Sequence, residues 1–217
     1  MPQLKGVIFD LDGVLVRTDQ YHYRAWKELA DSLGIPLDEE RNHALRGVSR
    51  EESLRRIYGD RPLPPPREFK AQCNRKNARY VELISHMTPR DLLPGAIELL
   101  DRLRAAGVKC AIASASKNCR TVLDRTGLDR HSDAVVDGTD VTASKPDPQG
   151  FLIAAKRLGS PPGACIGVED AESGIEAIHR AGMPAVGIGD QARGADLTVR
   201  GVDELTPQGL RDLMARR

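Results

Sequence analysis

The stretch Leu4-Lys5-Gly6-Val7-Ile8-Phe9-Asp10-Leu11-Asp12-Gly13 is an apolar run that stops abruptly on two acids and a glycine. An apolar run without polar alternation predicts a strand over Leu4–Phe9, buried on both faces. Such a strand needs helices on either side of its sheet. In extended backbone, residues two apart point the same way. Asp10 and Asp12 therefore face one spot, separated by about 6–7 Å along the chain for a rise of about 3.3 Å per residue. One could attack while the other handles protons; two solvated aspartates at a strand end are the plainer alternative. Gly13 permits a tight exit.

Moving outward, the pattern turns helical. Tyr21, Ala25, Trp26, Leu29 and Leu33 recur at spacings of three and four before Gly34. Further helices are expected over Glu39–Leu45, Glu51–Tyr58 and Glu68–Ile84. The four prolines within Arg61–Pro66 predict a loop, because proline fixes φ and lacks an N–H. After Pro94, helix and strand alternate: Gly95–Ala106, Val108–Ala113, Cys119–Thr126, Ala134–Val136, Pro148–Leu158, Ala164–Val168, Ser173–Ala181 and Ala185–Ile188. The predicted fold is thus α/β, a doubly wound, Rossmann-like parallel sheet with a small all-helical segment inserted after its first strand. Residues 1–16 and 89–217 would form the sheet domain and 17–88 the helical one.

Composition excludes several classes of function. The 217 residues carry 32 Lys and Arg against 31 Asp and Glu, a formal charge of +1. That gives no basic footprint for nucleic acid or anionic lipid. Aromatics at 4% offer no stacking platform for bases. The cysteines Cys73, Cys110, Cys119 and Cys165 lie far apart, with no metal-binding spacing, and are expected as reduced thiols of a cytoplasmic protein. No run approaches the roughly 20 apolar residues of a membrane span, and no signal peptide is evident. Composition is compatible with a monomer.

In a doubly wound sheet, ligands sit beyond the carboxyl ends of the strands. Three further segments matter there. Ser114-Ala115-Ser116-Lys117-Asn118 offers hydroxyls and backbone N–H groups to an anion, or simply a helix cap. In Ser144-Lys145-Pro146-Asp147-Pro148, the prolines hold a lysine rigidly ahead of a helix. Glu169-Asp170 places two acids where an apolar strand stops; an oxygen-only donor set suits a hard octahedral ion, hence Mg²⁺, while a solvated turn is the alternative. Carboxylate nucleophile, acid/base, hydroxyl, lysine and cation cage together suit phosphoryl transfer, in which positioning and charge neutralisation supply most of the catalysis.

Phe9 through Gly13, Ser114, Lys145-Pro146 and Glu169-Asp170 resemble, in order and spacing, the four motifs of the haloacid dehalogenase-like superfamily. Tyr21 through Lys27, Gly47 through Ser53, Arg75-Lys76-Asn77 and Ala113 through Asn118 are similar to its hexose-phosphate mutase branch, whose helical cap the insertion resembles. The resemblance implies that Asp10 is the nucleophile forming an aspartyl phosphate and Asp12 the acid/base. It implies Mg²⁺ on Asp10, the Asp12 carbonyl, Glu169 and Asp170, with Ser114 and Lys145 holding the transferring phosphoryl group. Arg50, Ser116, Lys117 and Asn118, beside Ala115, would hold a second phosphate. Gly47, Val48 and Ser49 would shape the sugar site, Trp26 would line it, and His22 and Lys76 would align Asp12. Trp26 could equally be core packing and Lys76 part of a basic helix face. The implied reaction converts β-D-glucose 1-phosphate to glucose 6-phosphate through the 1,6-bisphosphate. A sugar-phosphate phosphatase is the alternative. One departure is Arg17, where the family usually carries an acid; it reverses a charge at the expected hinge.

Overall fold

The computed structural model describes residues 3–45 and 48–216. The chain opens with β1 (Gly6–Phe9), two residues shorter at its start than the apolar run. Four helices come next: α1 (Asp19–Ser32), α2 (Glu39–His43), α3 (Arg50–Tyr58) and α4 (Pro66–Ile84). The rest alternates through α5 (Ala96–Ala105), β2 (Lys109–Ala113), α6 (Cys119–Thr126), β3 (Ala134–Val136), α7 (Gln149–Leu158), β4 (Cys165–Glu169), α8 (Glu172–Arg180), β5 (Ala185–Ile188), β6 (Leu197–Val199) and α9 (Pro207–Ala215). Among the described residues, six strands pair in parallel in the order β3-β2-β1-β4-β5-β6. The expected α/β doubly wound fold is therefore present. β1 lies centrally, flanked by β2 and β4.

Two details depart from the sequence reading. Pro66, expected in the loop, is the first residue of α4, where its missing N–H costs nothing and its φ suits the helix. Elements β6 and α9 are additions to the expected set. The strand β6 is a three-residue edge strand, and its burial is only partial.

The pleat sorts the core. Val7 and Phe9 of β1, Cys110 and Ile112 of β2, and Ile166 and Val168 of β4 face one cluster, filled from α5, α6 and α9 by Leu99, Leu100, Val122 and Leu210. Ile8, Ala111, Ala113 and Cys165 face the other, filled from α7 and α8 by Phe151, Ala155, Ile175 and Ile178. The parallel sheet is thus covered on both faces, as its unbroken apolar strands require. A third cluster lies wholly within the inserted helices: Trp26, Leu29, Ala30, Leu54, Ile57 and Cys73, with Ile35, Leu37 and Leu45 of the connecting loops. Burying each of the Leu, Ile, Val and Phe side chains in these clusters contributes roughly 1.5–3 kcal/mol.

The insertion joins the sheet through two chain segments that pair with each other. The Leu93 N–H donates to Leu15 O at 2.9 Å, Val16 bridges Leu92, and the Arg17 N–H donates to Asp91 O at 2.8 Å. The Tyr21 hydroxyl of α1 donates to the Asp91 carboxylate at 2.6 Å. Arg17 itself is exposed. The four cysteines are free and buried. Among the described residues, no helix is long and apolar enough to cross a membrane.

Candidate active site

Strands β1, β2 and β4 end at the same edge, so the residues just past their ends converge. Asp10, directly after β1, is 5% exposed, and Glu169, the last residue of β4, is 1% exposed. A carboxylate oxygen from each of Asp10, Glu169 and Asp170 lies within 4.8 Å of the others. The Lys145 ammonium pairs with Asp10 and, at 2.6 Å, with Glu169. The Asp12 N–H donates to Asp10 Oδ2 at 2.9 Å, which fixes the nucleophile candidate against its own turn.

Two glycines make this packing possible. Gly13 has φ +81°, and any Cβ there would run into the Asp170 carboxylate. Gly174, in α8, needs no unusual φ; a Cβ would occupy the space of the Glu169 carboxyl group. Small residues at these points let the backbone come close to buried acids.

Asp12 is held from two directions. The Thr18 hydroxyl donates to its Oδ1, and Ser114 Oγ donates to Oδ2 at 3.4 Å. Ser114 is buried and also accepts the Ser116 N–H at 3.1 Å. Burial, then the negative charge of Asp10, pushes the Asp12 carboxyl up to about 6, against the opposing Thr18 hydrogen bond. Burial and then Asp10 also push Glu169 well above the carboxylate range. Burial works against the Lys145 ammonium, but Asp10 and Glu169 outweigh it and hold its proton firmly.

Burial and mutual repulsion make it costly to hold three carboxylates this close together in a low-dielectric interior. Their oxygen-only donors, gathered on rigid strand ends, fit a hard divalent cation.

A cavity of about 430 Å³ opens over this cluster. Its wall holds Asp10, Asp12, Lys145, Glu169 and Asp170, and also Ala115, Ser116, Lys117 and Asn118 from the β2–α6 connection. From the inserted helices it holds His22, Trp26, Val48, Ser49, Arg50 and Lys76. The expected residues are thus brought together, apart from Ser114, which is buried behind the wall and touches Asp12 without lining the cavity, and Gly47, which lies outside the described residues. Ser49 is also the cap of α3, accepting the Glu52 N–H at 3.2 Å. Trp26 serves both readings: it packs against Leu29 and Leu54 while the Lys76 ammonium sits 4.8 Å above its ring.

Lys76 is 3% exposed, so it does not belong to a solvated basic face. Its Nζ lies 2.9 Å from His22 Nδ1, a contact in which a lysine ammonium can only donate and therefore needs a neutral imidazole, and 4.6 Å over the Tyr80 ring. Burial, then Arg50, lowers its ammonium to about 7. Burial, then Lys76 and Arg50, lowers His22 well below the usual imidazole range. In this arrangement His22 and Lys76 engage each other, while Thr18 and Ser114 engage Asp12.

The sequence reading missed three of these residues. Thr18, fully buried, bonds Asp12. Tyr80 lines the cavity and stacks on His22, with ring centroids 4.0 Å apart. Asn77 accepts hydrogen bonds from Arg50 at 2.7 Å and from Asn118 Nδ2 at 2.9 Å. Its position directly after Lys76, on the same cavity-facing turn, was the available signal.

Comparison with known proteins agrees with this geometry. A family model described as haloacid dehalogenase-like hydrolase matches residues 4–182. A β-phosphoglucomutase of Bacillus subtilis (strain 168) is 45% identical over 208 residues, covering 94% of this chain and 92% of its own. The crystal structure of a β-phosphoglucomutase from Clostridium difficile superposes with a TM-score of 0.93 at 37% identity, covering 99% of this chain and 98% of that one. A phosphorylated carbohydrates phosphatase of Thermotoga maritima is 29% identical over 187 residues, 84% of each chain.

Proposed function

The chain belongs to the haloacid dehalogenase-like hydrolase family, and from that premise we propose that it is a Mg²⁺-dependent phosphomutase interconverting β-D-glucose 1-phosphate and glucose 6-phosphate. The observation that carries this reading is the single cavity whose wall holds both an acid–lysine cluster and, from Arg50 and the 115–118 segment, a second set of anion donors. A bisphosphate that must be bound in two orientations needs a phosphate site at each end. The hydrolytic reading has weaker support, since the phosphatase relative is 29% identical against 45% for the mutase.

Asp10 attacks the phosphorus, and the bond between phosphorus and the sugar oxygen breaks. Asp12 gives its proton to that leaving oxygen. In the second half, Asp12 takes the proton from the incoming sugar hydroxyl as the phosphoryl group returns from Asp10. A carboxyl poised at about 6 is suited to both directions near neutral pH. Lys145 and Ser114 bind the transferring group, and Arg50, Ser116, Lys117 and Asn118 the other phosphate. Asp10, the Asp12 carbonyl, Glu169 and Asp170 would hold Mg²⁺. When bound there, the ion supplies neutralisation of the phosphoryl charge.

Residues 17–88 act as a cap on a body made of 1–16 and 89–217. The paired connecting segments at Leu15–Arg17 and Asp91–Leu93, and the separate apolar cluster of the helices, support this division. Closure would keep water from the aspartyl phosphate. The reading also takes the enzyme as a cytoplasmic monomer; four free thiols support a reducing compartment.

The test is incubation with β-glucose 1-phosphate, Mg²⁺ and catalytic bisphosphate. Glucose 6-phosphate is the expected product. Rapid release of inorganic phosphate without it would overturn the mutase reading.

A further inference from the structure

Asn77 sits where the two contributors to the second anion-donor set, Arg50 and the 115–118 segment, meet, and it takes no part in the phosphoryl transfer itself. It lies on α4, and its side-chain oxygen accepts one hydrogen bond from Arg50, 27 residues away on α3, and another from Asn118, 41 residues away at the start of α6. Asparagine is a poor residue for a helix interior. Here its cost to α4 comes with two hydrogen bonds that join the inserted helices to the sheet side of the cavity.

We propose that Asn77 is a positioning residue for the remote phosphate site, its amide oxygen clasping Arg50 and Asn118 together so that their remaining N–H donors are set for an incoming anion. The proposal rests on the reading of the cavity as a two-phosphate site. A guanidinium has five N–H donors and a side-chain amide two. Each partner gives one of these to Asn77, so the clasp orients the donors without exhausting them. The oxygen carries no formal charge. A carboxylate in its place would also hold Arg50, but it would cancel the guanidinium charge and repel phosphate. An amide fixes the cation and leaves its charge available.

The clasp also spans the two pieces of the site. Arg50 and Asn77 belong to the inserted helices, whereas Asn118 belongs to the β2–α6 connection. The second phosphate site is complete only when these pieces meet, and Asn77 is where they do.

The test compares Asn77→Ala with the near-isosteric Asn77→Asp, both checked for an unchanged melting profile. Asn77→Ala should raise KM for β-glucose 1-phosphate ~10-fold, the scale of one hydrogen bond to a charged group, with a smaller loss in kcat. Asn77→Asp keeps the acceptor and should nevertheless raise KM more than Asn77→Ala does. A merely structural role predicts the reverse order. The double variant Arg50→Ala/Asn77→Ala should lose less than the two single losses combined, because part of the effect of Asn77 passes through Arg50 and only the part through Asn118 remains. Additive losses, or an Asn77→Asp KM at or below that of Asn77→Ala, would overturn the clasp and leave the mutase reading standing. If the wild-type chain only releases phosphate, the mutase reading fails and the clasp falls with it.

Discussion

The two ends of the cavity are built by different means. At one end, Asp10 and Glu169 issue from strands that are buried on both faces and flanked by neighbours on both sides. Their positions are over-determined by the sheet. At the other end, Arg50, Lys76, Asn77 and His22 sit on helices with a small core of their own, joined to the sheet by two paired chain segments and by Ala25, Tyr80, Leu83 and Ile84, which enter the sheet's own cluster. The acid end draws its carboxylates from the sheet side alone. The remote end needs residues from both pieces, and so depends on how they meet. On the proposed reading, covalent chemistry falls to the sheet end, and selection of the substrate's second phosphate to the end shared with the inserted helices.

The sharpest way to break this division is Asp10→Asn. If the sheet end carries the covalent step, the variant should form no phosphoenzyme by intact mass and should lose ~10⁴-fold or more in turnover. Its melting temperature should not collapse, because the apolar core is untouched. Retained phosphoenzyme would move the nucleophile elsewhere.

A subtler probe of the same end is Gly174→Ala. Alanine is the better helix former, and this glycine has no left-handed φ to lose. Its Cβ would nevertheless displace Glu169 from the acid cluster. The expected outcome is an apparent Mg²⁺ affinity lower by ~10–100-fold, the usual cost of disturbing the support of a metal ligand. It can be read from the dependence of melting temperature on Mg²⁺ concentration. An unchanged Mg²⁺ dependence would show that Glu169 tolerates the shift, and that the acid end is less rigidly specified than the sheet suggests.

The same contrast explains how much of the molecule is legible in the chain. Asp10, Asp12, Glu169 and Asp170 are legible because they come directly after apolar runs, and strand ends define the site in this architecture. The helices of the insertion are legible from spacing alone. Strand β6 is not: Leu197–Val199 is three residues long, between Asp196 and Arg200, and only partly buried. Helix α9 shows its apolar face only through Leu210, Leu213 and Met214, among polar neighbours. Arg50 and Lys76 are reached through resemblance, not through pattern. Thr18 escapes both routes, and Asn77 is reached only as the neighbour of Lys76 in a resembling segment, with no role attached. Their roles lie in single side-chain contacts whose geometry depends on how elements distant in sequence come to rest.

Lys76 tests the remote end by pH, through stability and not through catalysis. The groups facing its ammonium are His22, Arg50, Asp12, Cys73 and the rings of Trp26 and Tyr80. No carboxylate pairs with it among the described hydrogen bonds and ion pairs, and burial lowers it from 10.5 to about 7. Between those values the unfolded chain binds more protons than the folded one, so stability gains from Lys76 as pH rises through this window. The slope is about 1.4 kcal/mol per pH unit where the difference is a full proton. Below about 7 both states carry the proton, and the cost of burying the charge is felt in full. Lys76→Met keeps a flexible apolar stem and removes the charge. Relative to wild type, Lys76→Met should therefore be most stabilised near pH 6–7, with the gap closing steadily toward pH 9.5. His22, held neutral in the folded chain, adds a dependence of the same sign, but only below the ordinary imidazole range, so measurements from pH 7 upward separate the two. A difference in melting temperature that stays flat with pH would mean that Lys76 keeps its proton when folded. The remote end would then be a fixed cationic grip, with its charge compensated as firmly as that of Lys145 at the acid end.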